Sequence, residues 1–212
     1  MMERQVNMVA RLVDDLLDVS RITLSQIELR KAPLDVVDLV RRVTEQHGPW
    51  AERKQHSVHV VLPREPLYIE GDEVRIEQII DNLLDNASKY TNNGGEIWVS
   101  VERAAGDQAA LAATLNSEHV VIRVRANGIG IAADKLRQVF DPFMRAAGSN
   151  EQHYAGLGVG LTLVRRLAEL HGGGAEAHSA GLGQGSEFVV RLPLAHSAAD
   201  VSVTTEAKSE TK

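Results

Sequence analysis

The stretch Asp72–Thr91, DEVRIEQIIDNLLDNASKYT, decides how the rest of the chain is read. Ile76, Ile79, Ile80, Leu83, Leu84 and Ala87 recur at the helical period and define one apolar face. Asp72 stands where an N-cap belongs, just ahead of that periodic run. Asn82, Asn86 and Lys89 share a second face, about a quarter turn from the apolar stripe. A face in that position is neither fully buried nor fully solvated, so a ligand can meet the helix there. Two carboxamides and an ammonium suit a polyphosphate carrying a hard cation. An amide oxygen ligates magnesium without adding negative charge, and lysine supplies a point charge for phosphate. Taken alone, the same residues are also ordinary for a solvated helix face.

Upstream, Asp35 can cap a helix begun by Val36, Val37, Leu39, Val40 and Val43 and ending near Gln55. SVHVVL (Ser57–Leu62) and LYIE (Leu67–Glu70) read as strands. Downstream, EIWVSVE (Glu96–Glu102) and HVVIRVR (His119–Arg125) read as strands, joined by a small-residue connection with the character of a loose hairpin. A short helix is expected around Asp134–Val139 and a longer one from Val159 to Leu170. Two strands are expected near Gly174–Ser179 and Glu187–Leu192. Residues 1–30 read as one long helix. Val6, Val9, Val13, Leu16, Ser20, Thr23 and Ile27 keep the seam spacing of a coiled coil or bundle, so this helix is expected to pair with others. The order of elements lacks the regular alternation of a doubly wound sheet. The expected fold class is α+β: a two-layer α/β sandwich, with a mixed, mainly antiparallel sheet carrying three helices on one face, preceded by one long helix. Residues 31–194 form its main domain, and 195–212 are expected to be a disordered polar tail or linker.

Composition narrows the function classes. The chain has 212 residues, 43% hydrophobic but only 4% aromatic, so aliphatic side chains must fill the core. Its net charge of −6, without a long basic run, argues against a nucleic-acid partner. It has no cysteine, which excludes disulfides and thiolate metal sites. No apolar run reaches the ~18–20 residues that span a bilayer, and no signal-peptide pattern opens the chain. A cytoplasmic protein without direct membrane contact is expected.

Three glycine-rich segments complete the inventory. In VRANGIGI (Val124–Ile131), Gly128 and Gly130 follow a β-rich run and would let backbone approach a planar ligand closely. GLGVGL (Gly156–Leu161) opens a helix, whose free N–H groups form an anion site. It looks like a dinucleotide fingerprint, but it follows no strand and sits in no βαβ unit, so that reading fails. GLGQGSEF (Gly181–Phe188) turns into the last strand. Each segment by itself is an ordinary turn.

In this order and at these spacings, the motifs resemble the catalytic, ATP-binding domain of bacterial sensor histidine kinases. That is the Bergerat fold shared with gyrase, Hsp90 and MutL ATPases. DEVRIEQIIDNLLDNASKYT is similar to the N box and VRANGIGI to the first glycine box. VFDPFMR, with Phe140 and Phe143, is similar to the F box, and GLGVGLTLVRRLAELHGG and GLGQGSEFVVRLP to the further glycine boxes. The N-terminal LVDDLLDVSRI resembles the second helix of a dimerisation and phosphoacceptor domain. The resemblance implies ATP and Mg2+ as cofactors, with Asn86 ligating the metal and Asn82 nearby. Lys89 would contact phosphate, and Tyr90 would pack beside the nucleotide. Ala126, Gly128, Gly130 and Ile131 would border the adenine. Arg145 would reach phosphate from a mobile lid running to about Gly156. Gly156, Leu157, Gly158, Val159, Gly160 and Leu161 would hinge that lid and present backbone N–H groups. Thr162 and the strand after Gly185 would help close the pocket floor. The implied partners are a homodimer through the N-terminal helix of a parent protein and the receiver domain of a response regulator. Whether that parent is membrane-anchored stays open.

Two departures stand out. Ala126 occupies the slot where the family carries an aspartate that accepts a hydrogen bond from the adenine amino group. Losing that acceptor should cost about 1–3 kcal/mol, or roughly 5- to 150-fold in affinity. The acceptor oxygen of neighbouring Asn127 is expected to point elsewhere. Secondly, none of the eight histidines lies in a phosphoacceptor setting. The chain is therefore expected to be a fragment truncated before that histidine, weakened in nucleotide binding and inactive in autophosphorylation on its own. The rival readings are a non-catalytic dimerisation or scaffold module (a pseudokinase) and an anti-sigma-factor serine kinase.

Overall fold

The computed structural model describes residues 28–104, 118–144 and 158–195. The long helix expected over residues 1–30 and the tail from 196 onward therefore lie outside the described residues, apart from 28–30, which form no regular element.

The first element is a short strand, β1 (Ala32–Asp35), followed at once by α1 (Val36–Gln46). Asp35 caps α1, accepting from the backbone N–H of Val37 at 2.9 Å and of Asp38 at 3.4 Å. The single helix expected to run to Gln55 is broken at His47 and resumes as α2 (Gly48–Arg53). The cause is Pro49, which has no N–H to donate and whose ring clashes with the preceding turn of a continuous helix. Then come β2 (Ser57–Val61), β3 (Tyr68–Gly71), α3 (Glu73–Lys89), β4 (Glu96–Ala104), β5 (His119–Ala126), α4 (Gly160–Leu170), β6 (Gly174–His178) and β7 (Ser186–Pro193).

The main sheet has five strands in the order β2-β4-β5-β7-β6. β2 runs parallel to β4 and every other neighbouring pair is antiparallel, as the mixed, mainly antiparallel class requires. Not every strand joins it. β3 pairs instead with β1 in a separate two-stranded ribbon, Leu34 opposite Ile69. Pro33 lies within β1 of this ribbon, opposite Glu70. A two-stranded ribbon has free edges, which is where a strand tolerates proline. The connection expected to be a hairpin does join antiparallel neighbours, β4 and β5, and an Arg103–Glu118 ion pair closes its base. Its residues 105–117 lie outside the described set.

One face of the sheet carries the core. Ile97, Val99, Val101, Val120, Ile122, Val124, Phe188, Val190 and Leu192 meet the apolar stripes of α1, α3 and α4. Full burial of a Leu or Ile side chain is worth about 1.5–3 kcal/mol. Ile76, Ile79, Ile80 and Leu83 of α3 are all fully enclosed. The opposite face is polar. His59, Trp98, Arg125, Glu187 and His178 form one row across the strands by register. The His59 ring stacks on Trp98 with centroids 5.5 Å apart, and the Arg125 guanidinium lies 5.0 Å from the Trp98 ring. A sheet packed on one side and charged on the other has no room for helices on both faces, so the two-layer arrangement follows.

The short helix expected around Asp134–Val139 does not form; residues 133–140 make successive turns instead. Lys135 N–H donates to Ala132 O at 2.9 Å and Gln138 N–H to Lys135 O at 2.8 Å, both three-residue steps. The path is set by Phe140, buried edge-on against Phe188 with centroids 6.4 Å apart. Arg165 holds it there, donating to the Phe140 carbonyl at 3.3 Å. Tertiary burial overrides local propensity here.

His171, at the end of α4, is a buried neutral latch. Its Nδ1 donates to Leu167 O at 2.7 Å, and its Nε2 accepts from the Asp72 N–H at 3.0 Å, tying the end of α4 to the start of α3. Burial pushes its pKa below the ordinary histidine value, and His56 is lowered by the same cause. Among the described residues no helix is long and apolar enough to cross a membrane.

A stability profile follows from these two histidines. As pH falls, the unfolded chain takes up protons before the folded one does. Stability should be complete above the ordinary histidine pKa of about 6.5 and should decline below it. Thermal unfolding between pH 8 and 5 checks this. A midpoint that holds constant down to pH 5 would contradict the buried neutral assignment.

Candidate functional site

The site is assembled on α3. Asp72 caps this helix through its side chain, accepting from Arg75 N–H at 3.3 Å. Burial of the apolar stripe then turns the Asn82, Asn86 and Lys89 face toward the N-terminus of α4. Asn82 Nδ2 donates to Gln78 O at 2.8 Å and Asn86 Nδ2 donates to Asn82 O at 2.8 Å. Each carboxamide is thus held by its nitrogen one turn back on its own helix. A carbonyl can only accept, so the nitrogen must face it, and the amide oxygen is turned away from the helix axis. Lys89 Nζ lies 4.9 Å from the centre of the Tyr90 ring, which positions the ammonium at the C-terminal end of the same face.

Two glycine turns close on this helix from different parts of the chain. The turn after β5 docks by backbone: Ile129 N–H donates to Tyr90 O at 3.0 Å. A Cβ on Gly128 would stand 2.1 Å from that same carbonyl oxygen, so only glycine permits the approach. At the other end, a Cβ on Gly160 would stand 2.5 Å from Asn82 Oδ1 and 3.8 Å from Asn86 Nδ2. The first turn of α4 therefore lies directly against the two amides. Val159 occupies the N-cap position of α4 and provides no side-chain cap, leaving the first N–H groups of Gly160, Leu161 and Thr162 available to an anion. Thr162 Oγ1 is buried there and has no hydrogen-bond partner among the described residues. Gly158, at φ +73°, packs against the Met144 carbonyl and brings the start of this turn beside the F-box segment.

The third glycine segment completes the far wall. Gly183 N–H donates to Ile129 O at 2.7 Å, and Gly130 approaches the Gly181 carbonyl so closely that a Cβ would stand 2.0 Å from it. Ser179 fastens the two loops together. Its Oγ accepts from Ile131 N–H at 3.0 Å and donates to Gly185 O at 2.6 Å. Ala126 ends β5 at 5% exposure, directly opposite Ser186 of β7 in the strand register. Asn127 does turn elsewhere: its Oδ1 accepts from Glu96 N–H at 2.8 Å.

Asn82, Asn86, Lys89, Tyr90, Gly128, Gly130, Ile131, Gly158, Val159, Gly160, Leu161 and Ala126 thus belong to α3 and its C-cap, the end of β5, the first turn of α4, or the loops that lead from β5 and into α4. Arg145, Gly156 and Leu157 lie outside the described residues. Ser179 and Thr91 brace the same walls in addition to the residues expected there. A serine just ahead of a glycine turn is a signal for Ser179, since hydroxyls close turns by bonding nearby backbone. Ser186 opens the strand after Gly185 that was expected at the pocket floor, and its place opposite Ala126 depends on strand pairing.

A two-layer fold with such a cleft at one edge of its helix layer defines a nucleotide-binding ATPase class. The family described as Histidine kinase-, DNA gyrase B-, and HSP90-like ATPase matches residues 71–196, and the chain belongs to it. Sensor histidine kinase RcsC of Escherichia coli (strain K12) is 30% identical over 173 residues, covering 81% of this chain and 17% of that protein. The alginate biosynthesis sensor protein KinB of Pseudomonas aeruginosa is 30% identical over 171 residues, covering 81% and 26%. The chain therefore spans about a quarter or less of these relatives' length. Full-length ShkA, solved in complex with AMPPNP, superposes with a TM-score of 0.71 at 30% identity, covering 90% of this chain and 36% of that one. The chain carries the catalytic ATPase domain of the sensor histidine kinases.

The close approaches predict unequal costs for glycine replacement. Gly128→Ala should destabilise the fold by about 1–3 kcal/mol, because the methyl group meets rigid backbone. Gly48→Ala, with nothing within 4 Å of its added Cβ, should stay within about 0.5 kcal/mol of the unmodified chain. Chemical denaturation of the two variants provides the comparison.

Proposed function

We propose that this cleft binds ATP with magnesium and presents its terminal phosphate for transfer to a histidine. The phosphoryl group would then pass to an aspartate on a response-regulator receiver domain. The observation that supports this most is the convergence of two glycine turns and the Asn82–Asn86 pair on one helix face. In this reading the α4 N-terminus takes the polyphosphate on its free N–H groups, and Lys89 neutralises charge beside it. The orphaned Thr162 hydroxyl fits a polar ligand arriving at that turn. Asn86 fits the metal, because its nitrogen is committed to Asn82 O and its oxygen is left for a cation. Magnesium bound there would offset the charge of the phosphates. The residues themselves position the reactants and contribute no covalent step.

Lid roles for Arg145, Gly156 and Leu157 belong to the same proposal, as do dimerisation through the N-terminal helix and a cytoplasmic setting. In this reading the acceptor histidine is none of the three engaged within the fold. His47 is paired with Asp81 at 2.8 Å, His56 contacts Asn92 O at 3.1 Å, and His171 is enclosed between α3 and α4. Ala126 weakens adenine binding by removing an acceptor. That same residue favours one rival, a non-catalytic scaffold, over full kinase activity for this chain.

Titration with ATP separates these readings. Ala126→Asp should tighten binding by roughly 5- to 150-fold. Asn86→Ala should weaken binding in magnesium far more than in chelator. Calorimetry with and without the metal measures both. No heat from ATP at millimolar concentration, in either the unmodified chain or Ala126→Asp, would leave the scaffold reading standing.

A further inference from the structure

Asp72 sits where three segments of the chain meet. Its carboxylate uses both oxygens. Oδ1 accepts from Arg75 N–H at 3.3 Å, which caps α3, and Oδ2 accepts from Arg30 N–H at 2.8 Å. Its own N–H donates to His171 Nε2 at 3.0 Å, at the opposite end of α4 from the glycine turn. Both residues are buried. The strand register leads into this junction: Ala32 pairs with Gly71, so the next position sets Lys31 beside Asp72. A helix cap needs only one oxygen. The second holds the chain that arrives from residues 1–27.

The junction joins the two helices that form the cleft. α4 starts beside Asn82 and ends beside Asp72, so it runs antiparallel to α3. Asn82 lies roughly 15 Å along α3 from Asp72. The end of α4 is fixed to the sheet, because a Cβ on Gly173 would stand 1.9 Å from the Arg191 carbonyl oxygen. Burial of its stripe fixes the rotation of α3. The freedom that remains is a small axial slide of α3 against α4, the shear by which packed helices move. That slide shifts Asn82 against Gly160, where a Cβ would already stand 2.5 Å from the amide oxygen. We propose that Asp72 and His171 are positioning residues of the nucleotide site. They couple the chain ahead of Arg30 to the spacing between the Asn82–Asn86 pair and the α4 N-terminus. A displacement at Arg30 reaches Asn82 through α3, while His171 ties α3 to the anchored end of α4. This rests on the nucleotide-site reading above and specifies its regulation. The coupling is reciprocal: if the hold on Arg30 tightens nucleotide binding, bound nucleotide tightens the hold on Arg30.

Three variants separate the contacts. Asp72→Ser keeps one cap oxygen for Arg75 N–H and the main-chain N–H for His171, but has no second oxygen for Arg30. His171→Leu removes the acceptor for Asp72 N–H, and His171→Gln returns one. Each is made in the unmodified chain and in Ala126→Asp, and titrated with ATP and magnesium at a temperature where it is folded. Asp72→Ser and His171→Leu should weaken binding by about threefold or more, with His171→Gln within about twofold of its parent. Residue-resolved amide exchange supplies a readout that a merely structural bond would not move. ATP should slow exchange at Arg30 in the parent chain and leave it unchanged in Asp72→Ser. Where a variant does not fold, exchange at Arg30 in the parent chain decides alone. Affinities within about twofold of the parent in both Asp72→Ser and His171→Leu, or exchange at Arg30 indifferent to ATP, would overturn the coupling and spare the site. ATP binding by no chain, Ala126→Asp included, would overturn the site and the coupling together.

Discussion

The whole arrangement depends on the burial of one helical stripe. Ile76, Ile79, Ile80, Leu83 and Leu84 on α3 are enclosed between the sheet, α1 and α4. Their removal from water orients the helix about its own axis and leaves no rotational freedom. Every ligand-facing feature follows from that orientation. Asn82 and Asn86 face the α4 N-terminus because the apolar stripe, a quarter turn away, faces the sheet. Lys89 and Tyr90 end the helix at the point where the first glycine turn arrives.

The second constraint is backbone proximity. The turn after β5 reaches the end of α3 through one main-chain bond, Ile129 N–H to Tyr90 O, and this is possible only because Gly128 carries no side chain. The α4 N-terminus reaches the amide pair under the same condition at Gly160. The walls of the cleft are therefore set largely by main chain. Main chain offers N–H groups and carbonyls at fixed spacing whatever the side chains are. Side chains reach the edge of the cleft only where a strand end or helix face brings them there, as at Asn82 and Asn86.

Much of this could be read from the chain alone. The α3 stripe, the Asp72 cap, the β5 alternation and the glycine turns are signals confined to a few neighbouring residues, and each appears where it was expected. Less local features escaped. β1 contains Pro33, a residue whose tolerance in a strand depends here on pairing with β3. The single helix expected after Asp35 breaks at His47 because Pro49 cannot continue it. The segment before Phe140 has helical composition, yet its path is dictated by Phe188 and Arg165, both distant in sequence. The pairing of Ser186 with Ala126 comes from strand register, which no local window contains.

What the sequence determined by itself was chemistry and periodicity: which helix is amphipathic, which residues can ligate a cation, and that Ala126 has no acceptor to offer a base. These are properties of residue type and short spacing. Only the tertiary structure decided that β3 leaves the main sheet, that His171 is a buried neutral latch, and that Ser186 stands opposite Ala126. Those outcomes depend on which distant segments exclude water together, and a linear reading holds no distances between them.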